Sequence, residues 1–380
     1  MNMRIVVLGA GMVGSAIAID LNKTFSVVSV DIDKEALGRL EVFHGIDCAH
    51  ADLRDEQVVR NVIADADLVV NAAPGFMGFR TLKTVIESGK NVVDIAFFPE
   101  DSASLDKLAR EKGVIAVTDM GVAPGMCNVI LGYHHSRMRV NSYLCLVGGL
   151  PKKRIWPWEY KAPFSPCDVI EEYVRPARCR ENGVDIVRPA LSDPELIDFE
   201  QCGTLEAWNS DGLRSLLQNM PDIPDMKEKT MRWPGHIEKA LILRESGFFS
   251  SKPVEISGMM ISPLRMTEKI LFSDKNWKPG AEEEEFTVMR VVVSGEENGT
   301  SVLHTWDLYD EYCPATKTSS MARTTGYACT AAVNAVLAGL YTETGLSPAE
   351  YLGRNEKCFK FMLEYLRDRN VYYLKKTERR

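Results

Sequence analysis

The stretch RIVVLGAGMVGSAIAIDL, residues Arg4–Leu21, decides the fold. Its first part, Arg4–Leu8, is a short apolar run rich in β-branched residues, which predicts a strand buried on both faces of a parallel sheet. Gly9, Gly11 and Gly14 follow as G-x-G-x-x-G, and small and apolar residues at helical spacing come next. This pattern is typical of a strand–turn–helix unit in which the free N–H groups and the dipole of the helix hold a pyrophosphate.

A second predicted strand ends in a carboxylate that suits an adenine ribose. The largely apolar run Ser26–Val30 is followed by Asp31. Because a carboxylate binds both ribose hydroxyls and repels a 2′-phosphate, we expect NAD rather than NADP, although Lys34 is a nearby cation. The expected cofactor-binding residues are Gly9, Gly11, Met12, Val13, Gly14, Asp31, Ile32, Asp52, Leu53, Ala72, Ala73 and Pro74.

Length and composition exclude several classes of protein. A chain of 380 residues with 45% hydrophobic and 26% charged residues predicts two globular domains. The net charge of −8 argues against a nucleic-acid or anionic-membrane partner, and we see no membrane-spanning run. Nine cysteines without C-x-x-C or zinc spacing indicate free thiols in a reducing compartment. We therefore expect a cytoplasmic protein and assign no metal site.

Strand and helix patterns alternate through residues 1–128. Six predicted strands with helical crossovers indicate a Rossmann doubly wound parallel sheet of order 3-2-1-4-5-6. Ligands bind such sheets at the carboxyl ends of the strands. Asp94 and Asp119 each follow a predicted strand, so we expect both carboxylates at that edge.

The composition changes over residues 129–314. All six tryptophans fall between Trp156 and Trp306, and strand-like runs replace the helical alternation. These features predict an α+β domain with a largely antiparallel sheet, which we expect to bind substrate and to form a homodimer. The helical stretch 319–340 is expected to return to the first domain, so that about 315–380 completes it.

Five further stretches carry a resemblance to a known family. They resemble the saccharopine dehydrogenase family, and within it most the NAD-dependent lysine 6-dehydrogenase branch, over nearly the whole chain. A departure occurs at residues 209–212, where the N-R-D-S of the fungal saccharopine reductases is replaced by N-S-D-G. The stretches are TDMGVAPGMCN (118–128), YKAPFSP (160–166), EYVRPAR (172–178), EAWNSDGLRSLL (206–217) and TMRWPGHIEKALILRESGFF (230–249).

The resemblance implies an NAD-dependent dehydrogenase that oxidises the amine carbon of an amino acid. The reaction expected first is oxidative deamination of the ε-amine of L-lysine to the 6-semialdehyde. One alternative is a saccharopine or carboxynorspermidine type of enzyme, which joins an amine to a keto acid or aldehyde. Another is a non-catalytic NAD-binding sensor. In every case the expected partner is a small molecule, an amino acid or a polyamine.

This chemistry needs a base for the ammonium proton and a guanidinium for the substrate carboxylate. The residues proposed as catalytic are Asp94, Asp119, Lys161 and His236, and those proposed for substrate binding are Tyr160, Glu206 and Arg232. Arg232 is the expected carboxylate clamp, and Glu206 would face an ammonium group. Structural roles remain open for these side chains, for example an ion pair for Arg232 and a buried, hydrogen-bonded ring for His236.

Overall fold

The computed structural model describes residues 3–273, 276–280 and 283–379; the side chains of Pro166 and Cys167 are outside this description. The chain forms two compact units, Met1–Met138 with Ala322–Tyr372, and Arg139–Met321 with Tyr373–Arg380. The sequence-based boundaries at residues 128 and 315 fall several residues before the points at which the chain passes from one unit to the other. The last residues of the chain lie in the second unit, whereas the sequence-based division assigned them to the first.

The strands carry the architecture of both units. In chain order they are β1 (Arg4–Leu8), β2 (Ser26–Asp31), β3 (Asp47–His50), β4 (Leu68–Asn71), β5 (Asn91–Asp94), β6 (Ile115–Thr118), β7 (Arg139–Pro151), β8 (Ala177–Glu181), β9 (Val184–Arg188), β10 (Glu195–Phe199), β11 (Gly203–Asn209), β12 (Asp225–Arg232), β13 (Val254–Ile256), β14 (Met259–Ile261), β15 (Glu285–Glu297), β16 (Thr300–Glu311), β17 (Gly345–Pro348) and β18 (Tyr373–Arg379).

Helices connect and cover these strands. They are α1 (Met12–Leu21), α2 (Lys34–His44), α3 (Glu56–Val62), α4 (Gly75–Glu87), α5 (Asp106–Lys112), α6 (Met126–His135), α7 (Pro166–Val174), α8 (Leu216–Asn219), α9 (His236–Glu245), α10 (Pro263–Leu271), α11 (Ser320–Leu337), α12 (Ala349–Arg354) and α13 (Glu356–Arg367). Within the described residues, no helix is both long and apolar enough to cross a bilayer.

A parallel seven-stranded sheet of order β17-β6-β5-β4-β1-β2-β3 forms the centre of the first unit. Its pairings are all parallel, so the predicted Rossmann sheet and its order 3-2-1-4-5-6 are confirmed. β17 extends the sheet beside β6. β1 and β4 are buried almost throughout, which explains why their sequences are continuously apolar rather than alternating.

Local signals set the helix ends around this sheet. The Asp33 carboxylate accepts the N–H groups of Glu35 and Ala36 and so caps the start of α2. Gly45 ends the same helix in the left-handed conformation, with φ of 61°. The chain thereby turns into β3 and brings the carboxyl ends of β2 and β3 side by side.

A mixed sheet of order β10-β11-β12-β7-β15-β16-β18, joined by β8 and β9, forms the second unit. The prediction of a largely antiparallel sheet in an α+β domain is confirmed, and the pairing of β12 with β7 is parallel. Strand β16 alternates buried and partly exposed side chains, as expected for a sheet covered on one face. β18 is an edge strand here, antiparallel to β16.

Candidate functional site

The glycine loop after β1 is shaped by close backbone contacts. Gly9 has φ of +113°, and a Cβ there would lie 2.4 Å from the Ala72 carbonyl oxygen. A Cβ on Gly14 would lie 2.1 Å from the Gly9 carbonyl oxygen. Nothing lies within 4 Å of a Cβ placed on Gly11. Two of the glycines are therefore needed for packing, and the third leaves the space in which a phosphate can approach the backbone.

The start of α1 offers free N–H groups beside that space. Gly11 is the N-cap residue, no side chain caps it, and the first turn holds no acidic residue among those described. The Ser15 hydroxyl donates to the Ala10 carbonyl over 2.9 Å, which ties the helix to the loop. Unpaired N–H groups and the helix dipole make this terminus suited to an anion.

A groove of about 340 Å³ adjoins the loop. Six of the predicted cofactor residues line it: Gly9, Asp31, Ile32, Asp52, Leu53 and Pro74. Gly11, Met12, Val13 and Gly14 form the loop and helix start, and Ala72 and Ala73 follow β4. The prediction missed three lining residues, Arg54, Phe76 and Met77. Arg54 could have been found, since it follows Asp52 and Leu53 directly.

Asp31 holds the glycine loop in place. One carboxylate oxygen accepts the Ala10 N–H over 2.6 Å, and the other accepts the Asp33 N–H over 2.9 Å. Both oxygens therefore have protein donors. The structure shows this carboxylate as a link between the ends of β1 and β2, and its contact with a ribose stays a prediction.

Asp52 and Arg54 form a two-pronged ion pair on the rim of the groove. Arg54 Nε lies 2.9 Å from one Asp52 oxygen, and Arg54 Nη2 lies 2.6 Å from the other. The hydrogen bonds from Arg54 lower the pKa of Asp52 to about 2. Asp52 is therefore a carboxylate at every physiological pH.

Asp94 and Asp119 lie at neighbouring strand ends of the same sheet. Asp94 is fully buried, accepts a short hydrogen bond from the Asn71 amide, and accepts the Ala96 N–H over 3.0 Å. Asp119 has φ of 56° and is 5% exposed. The Met120 N–H donates to the Asp94 carbonyl over 2.9 Å, which joins the two segments. Their catalytic roles remain predictions.

In the second unit, Arg232 lies in a buried aromatic cluster. Its guanidinium is 4.5 Å from the centre of the Tyr160 ring and 5.5 Å from that of Trp208. Arg232 Nη2 donates to Glu172 over 2.8 Å and to the Tyr160 hydroxyl over 3.3 Å. Glu172 was not predicted as a site residue, although it begins the EYVRPAR stretch. The expected clamp thus already has a carboxylate partner within the protein.

His236 is a buried neutral imidazole. Its Nδ1 lies 3.3 Å from the Trp158 carbonyl, which can only accept, so Nδ1 carries the proton. Nε2 then accepts from the Tyr173 hydroxyl over 2.8 Å. Burial, assisted by the charge of Arg232, lowers the pKa of His236 to about 3. A ring so held is neutral near pH 7 and connects the Trp158 backbone carbonyl to the Tyr173 hydroxyl.

Acidification is expected to destabilise the fold through His236. Its pKa is about 3 in the folded state and 6.5 ordinarily, so the unfolded chain binds the proton first. The contribution of His236 to stability is complete above about pH 6.5 and falls by roughly 1.4 kcal/mol per pH unit between that pH and the folded-state pKa of about 3. Urea unfolding from pH 7 to pH 4 measures this slope. The variant His236→Gln should show a flatter slope, and an unchanged slope would contradict the assignment.

The remaining predicted residues have partners within the second unit. The Glu206 carboxylate accepts the Gly235 N–H over 3.0 Å and so holds the turn that begins α9. Lys161 Nζ donates to the Lys278 carbonyl over 3.1 Å and lies 3.8 Å from Glu283. Lys161 and Tyr160 also line one small cavity. Their substrate and catalytic roles remain predictions.

Family models match most of the chain. The model of the saccharopine dehydrogenase NADP binding domain matches residues 5–117, and that of the saccharopine dehydrogenase C-terminal domain matches residues 121–371. The chain belongs to the saccharopine dehydrogenase family. The resemblance seen in the sequence is thereby confirmed at the level of the family.

Relatives of this saccharopine dehydrogenase family member are longer proteins. The alpha-aminoadipic semialdehyde synthase of Arabidopsis thaliana is 23% identical over 70% of this chain and 27% of its own length. The saccharopine dehydrogenase [NADP(+), L-glutamate-forming] of Schizosaccharomyces pombe is 26% identical over 41% of this chain and 37% of its own. The matches thus span well under half of these curated relatives.

A solved structure shares the fold over both whole chains. Apo saccharopine dehydrogenase (L-Glu forming) from Saccharomyces cerevisiae matches with a TM-score of 0.78 and 19% identity. The match covers 99% of this chain and 100% of that one. At this identity, the likeness shows a common fold.

The expectation that the cofactor is NAD is wrong. The family model that matches residues 5–117 is that of an NADP binding domain, and two matched relatives are named as NADP(+) enzymes. The Asp31 oxygens accept backbone N–H groups, so this carboxylate also has a structural role. Arg54, a cation, lines the same groove. A carboxylate at the end of β2 therefore does not by itself select NAD here.

Proposed function

We propose that the chain is an oxidoreductase that uses NADP(H) and acts on the amine carbon of an amino acid. The observation that carries this proposal is the match of the NADP binding domain over residues 5–117, which include the glycine loop and the groove. The open space at Gly11 and the uncapped start of α1 suit a pyrophosphate. The groove beside them has room for an adenosine.

Protein side chains would position the substrate and manage its protons. NADP, when bound, supplies the acceptor for a hydride from the amine carbon. Arg232 would bind a substrate carboxylate, because its buried Nε donates to no acceptor in the described part of the chain. Because Glu172 already balances the charge of Arg232, the guanidinium would contribute directed hydrogen bonds to the substrate carboxylate rather than net charge. In the first unit, Asp94 and Asp119 are the carboxylates proposed as bases, because both lie at strand ends of the sheet that carries the glycine loop.

The substrate that we propose first is saccharopine. Two matched relatives are named as L-glutamate-forming saccharopine dehydrogenases. In that reaction, saccharopine, NADP⁺ and water give glutamate, the 6-semialdehyde of 2-aminoadipate, NADPH and a proton. Oxidation of the C–N bond would form an imine, and water would hydrolyse it.

Deamination of the ε-amine of L-lysine is the second candidate. It is favoured by the N-S-D-G segment at residues 209–212, which replaces the N-R-D-S of fungal saccharopine reductases. A Cβ at Gly212 would lie 1.5 Å from a Glu228 carboxylate oxygen, so a serine does not fit there without rearrangement. The segment also lacks an arginine that a tricarboxylate substrate could use.

Absorbance at the NADPH maximum tests these candidates in one assay. The purified full chain is expected to reduce NADP⁺ with saccharopine at alkaline pH, and to oxidise NADPH with glutamate plus the semialdehyde. Turnover with lysine alone would favour the second candidate. If no amine gives turnover and NADPH still binds, the non-catalytic sensor replaces both enzyme proposals. Boiled protein is the control for background oxidation.

We also propose that the chain is a cytoplasmic homodimer formed through the second unit. The short hairpin of β13 and β14 exposes 46% of Val254 and of Ile256 and 62% of Met259. A hairpin with three residues in each strand is marginally stable in water, so a second copy of it is a suitable cover. Light scattering is expected to give twice the chain mass of 42.5 kDa.

A further inference from the structure

The groove beside the glycine loop contains an imbalance of charge. Asp31 and Asp52 are acidic, and Arg54 is the cation among its described lining residues. A 2′-phosphate adds about two negative charges at neutral pH. If NADP binds there, as proposed above, something must compensate this charge near two carboxylates.

The Asp31 carboxylate itself has little freedom to move away from the added negative charge. Its oxygens accept the N–H groups of Ala10 and Asp33, so the carboxylate is fixed at the end of β2. Each Asp31 oxygen accepts one backbone N–H and can accept a second donor. The carboxylate is fixed beside the loop and cannot move away from a 2′-phosphate, so a cation elsewhere in the groove must offset the added charge.

Arg54 has the geometry and the freedom for this task. It uses Nε and Nη2 to bind Asp52, and Nη1 donates to no acceptor in the described part of the chain. The side chains of Arg54 and Asp52 are 65% and 39% exposed. Because an ion pair so exposed contributes little stability, Arg54 can rotate from a carboxylate to a phosphate at small cost. A guanidinium binds phosphate oxygens in the same two-pronged manner.

We propose that Arg54 recognises the 2′-phosphate of the dinucleotide, and that Asp52 holds this guanidinium in place in the free protein. Asp52 competes with the phosphate for Arg54, so it sets how strongly the 2′-phosphate is preferred. The cofactor preference thus comes from the end of β3, while the carboxylate at the end of β2 serves the loop. This inference rests on the proposed use of NADP(H).

Calorimetry with two nucleotides tests the inference without turnover. Adenosine 2′,5′-bisphosphate carries the 2′-phosphate, and 5′-AMP lacks it. The wild type is expected to prefer the bisphosphate. Arg54→Ala should weaken bisphosphate binding about 10- to 100-fold and change 5′-AMP binding by less than about twofold. Asp52→Asn should tighten bisphosphate binding several-fold.

A matched control lies on the same unit. Arg39 is exposed and paired with Glu35 on α2, outside the groove. Arg39→Ala removes the same charge and should leave both affinities unchanged. Equal loss in Arg39→Ala and Arg54→Ala would overturn the inference, because the effect would then be one of net charge.

Two results separate this inference from the proposed function. If the wild type prefers the bisphosphate and Arg54→Ala keeps that preference, the role of Arg54 is wrong and the use of NADP(H) stands. If the wild type shows no preference for the bisphosphate, the proposed use of NADP(H) fails and the inference fails with it. If Arg54→Ala loses the preference for the bisphosphate while Arg39→Ala keeps it, the result supports both the role of Arg54 and the use of NADP(H).

Discussion

Replacing Gly11 by alanine is expected to abolish dinucleotide binding and to leave the chain folded. The new Cβ would meet no protein atom within 4 Å, and the φ of Gly11 is −65°, which alanine adopts readily. It would instead occupy the space that a pyrophosphate needs. Alanine is a poorer N-cap than glycine, so a stability loss of only about 0.5–1 kcal/mol is expected. Calorimetry with NADPH, together with urea unfolding, measures both quantities.

Gly14→Ala is the matched variant, in which the added methyl group is expected to disturb the fold as well as dinucleotide binding. Its Cβ would lie 2.1 Å from the Gly9 carbonyl oxygen, so the helix must move away from the strand. Overpacking of this kind costs about 1–3 kcal/mol. Gly14→Ala should therefore lose stability and binding together. If Gly11→Ala binds NADPH as tightly as the wild type, the loop does not hold the pyrophosphate.

Removing Glu172 is expected to destabilise the second unit strongly. The side chains of Arg232 and Glu172 are 2% and 19% exposed, and their charged atoms are 2.8 Å apart. Glu172→Ala would leave the Arg232 charge buried among aromatic rings without its partner. Breaking a buried pair on one side costs about 3–5 kcal/mol. The urea midpoint of the second unit, followed by tryptophan fluorescence, reports this loss.

A double variant separates stability from substrate binding. Arg232→Met with Glu172→Leu removes both charges and keeps the volume, so it should recover most of the stability lost in Glu172→Ala. It should still fail to turn over any carboxylate-bearing substrate, because the guanidinium is gone. A Glu172→Ala protein within about 1 kcal/mol of the wild type would show that the pair is not structurally important. Full activity of the double variant would exclude Arg232 as the substrate clamp.

The first unit was the more predictable part of the fold. Strands such as β1 and β4 are short, buried and largely apolar, and α2 and α3 begin at capping aspartates, so local patterns were sufficient. β17 was not predicted, because four residues, Gly345–Pro348, pair with β6 at a distance of more than two hundred positions. A segment so short has no periodicity of its own, and only the open edge of the sheet makes it a strand.

In the second unit, more of the fold depended on contacts between residues that are far apart in the sequence. The antiparallel sheet was predicted from strand-like runs, but the parallel pairing of β12 with β7 was not. Strand direction depends on how the intervening residues return to the sheet, which a local pattern does not encode. β18 is likewise polar enough to be taken for a tail, and its pairing with β16 makes it an edge strand.

Some features of the candidate site could likewise be predicted from the sequence, and others depended on the tertiary structure. The glycine spacing, the Rossmann order and the family motifs are properties of neighbouring residues, and the sequence by itself determined them. The partners of Asp31, Arg232 and His236 come from other parts of the chain, and only the tertiary structure decided whether these groups are free, paired or neutral. Charge and hydrogen bonding depend on burial and on distant neighbours, which is why the preference for NAD was misread from Asp31 alone.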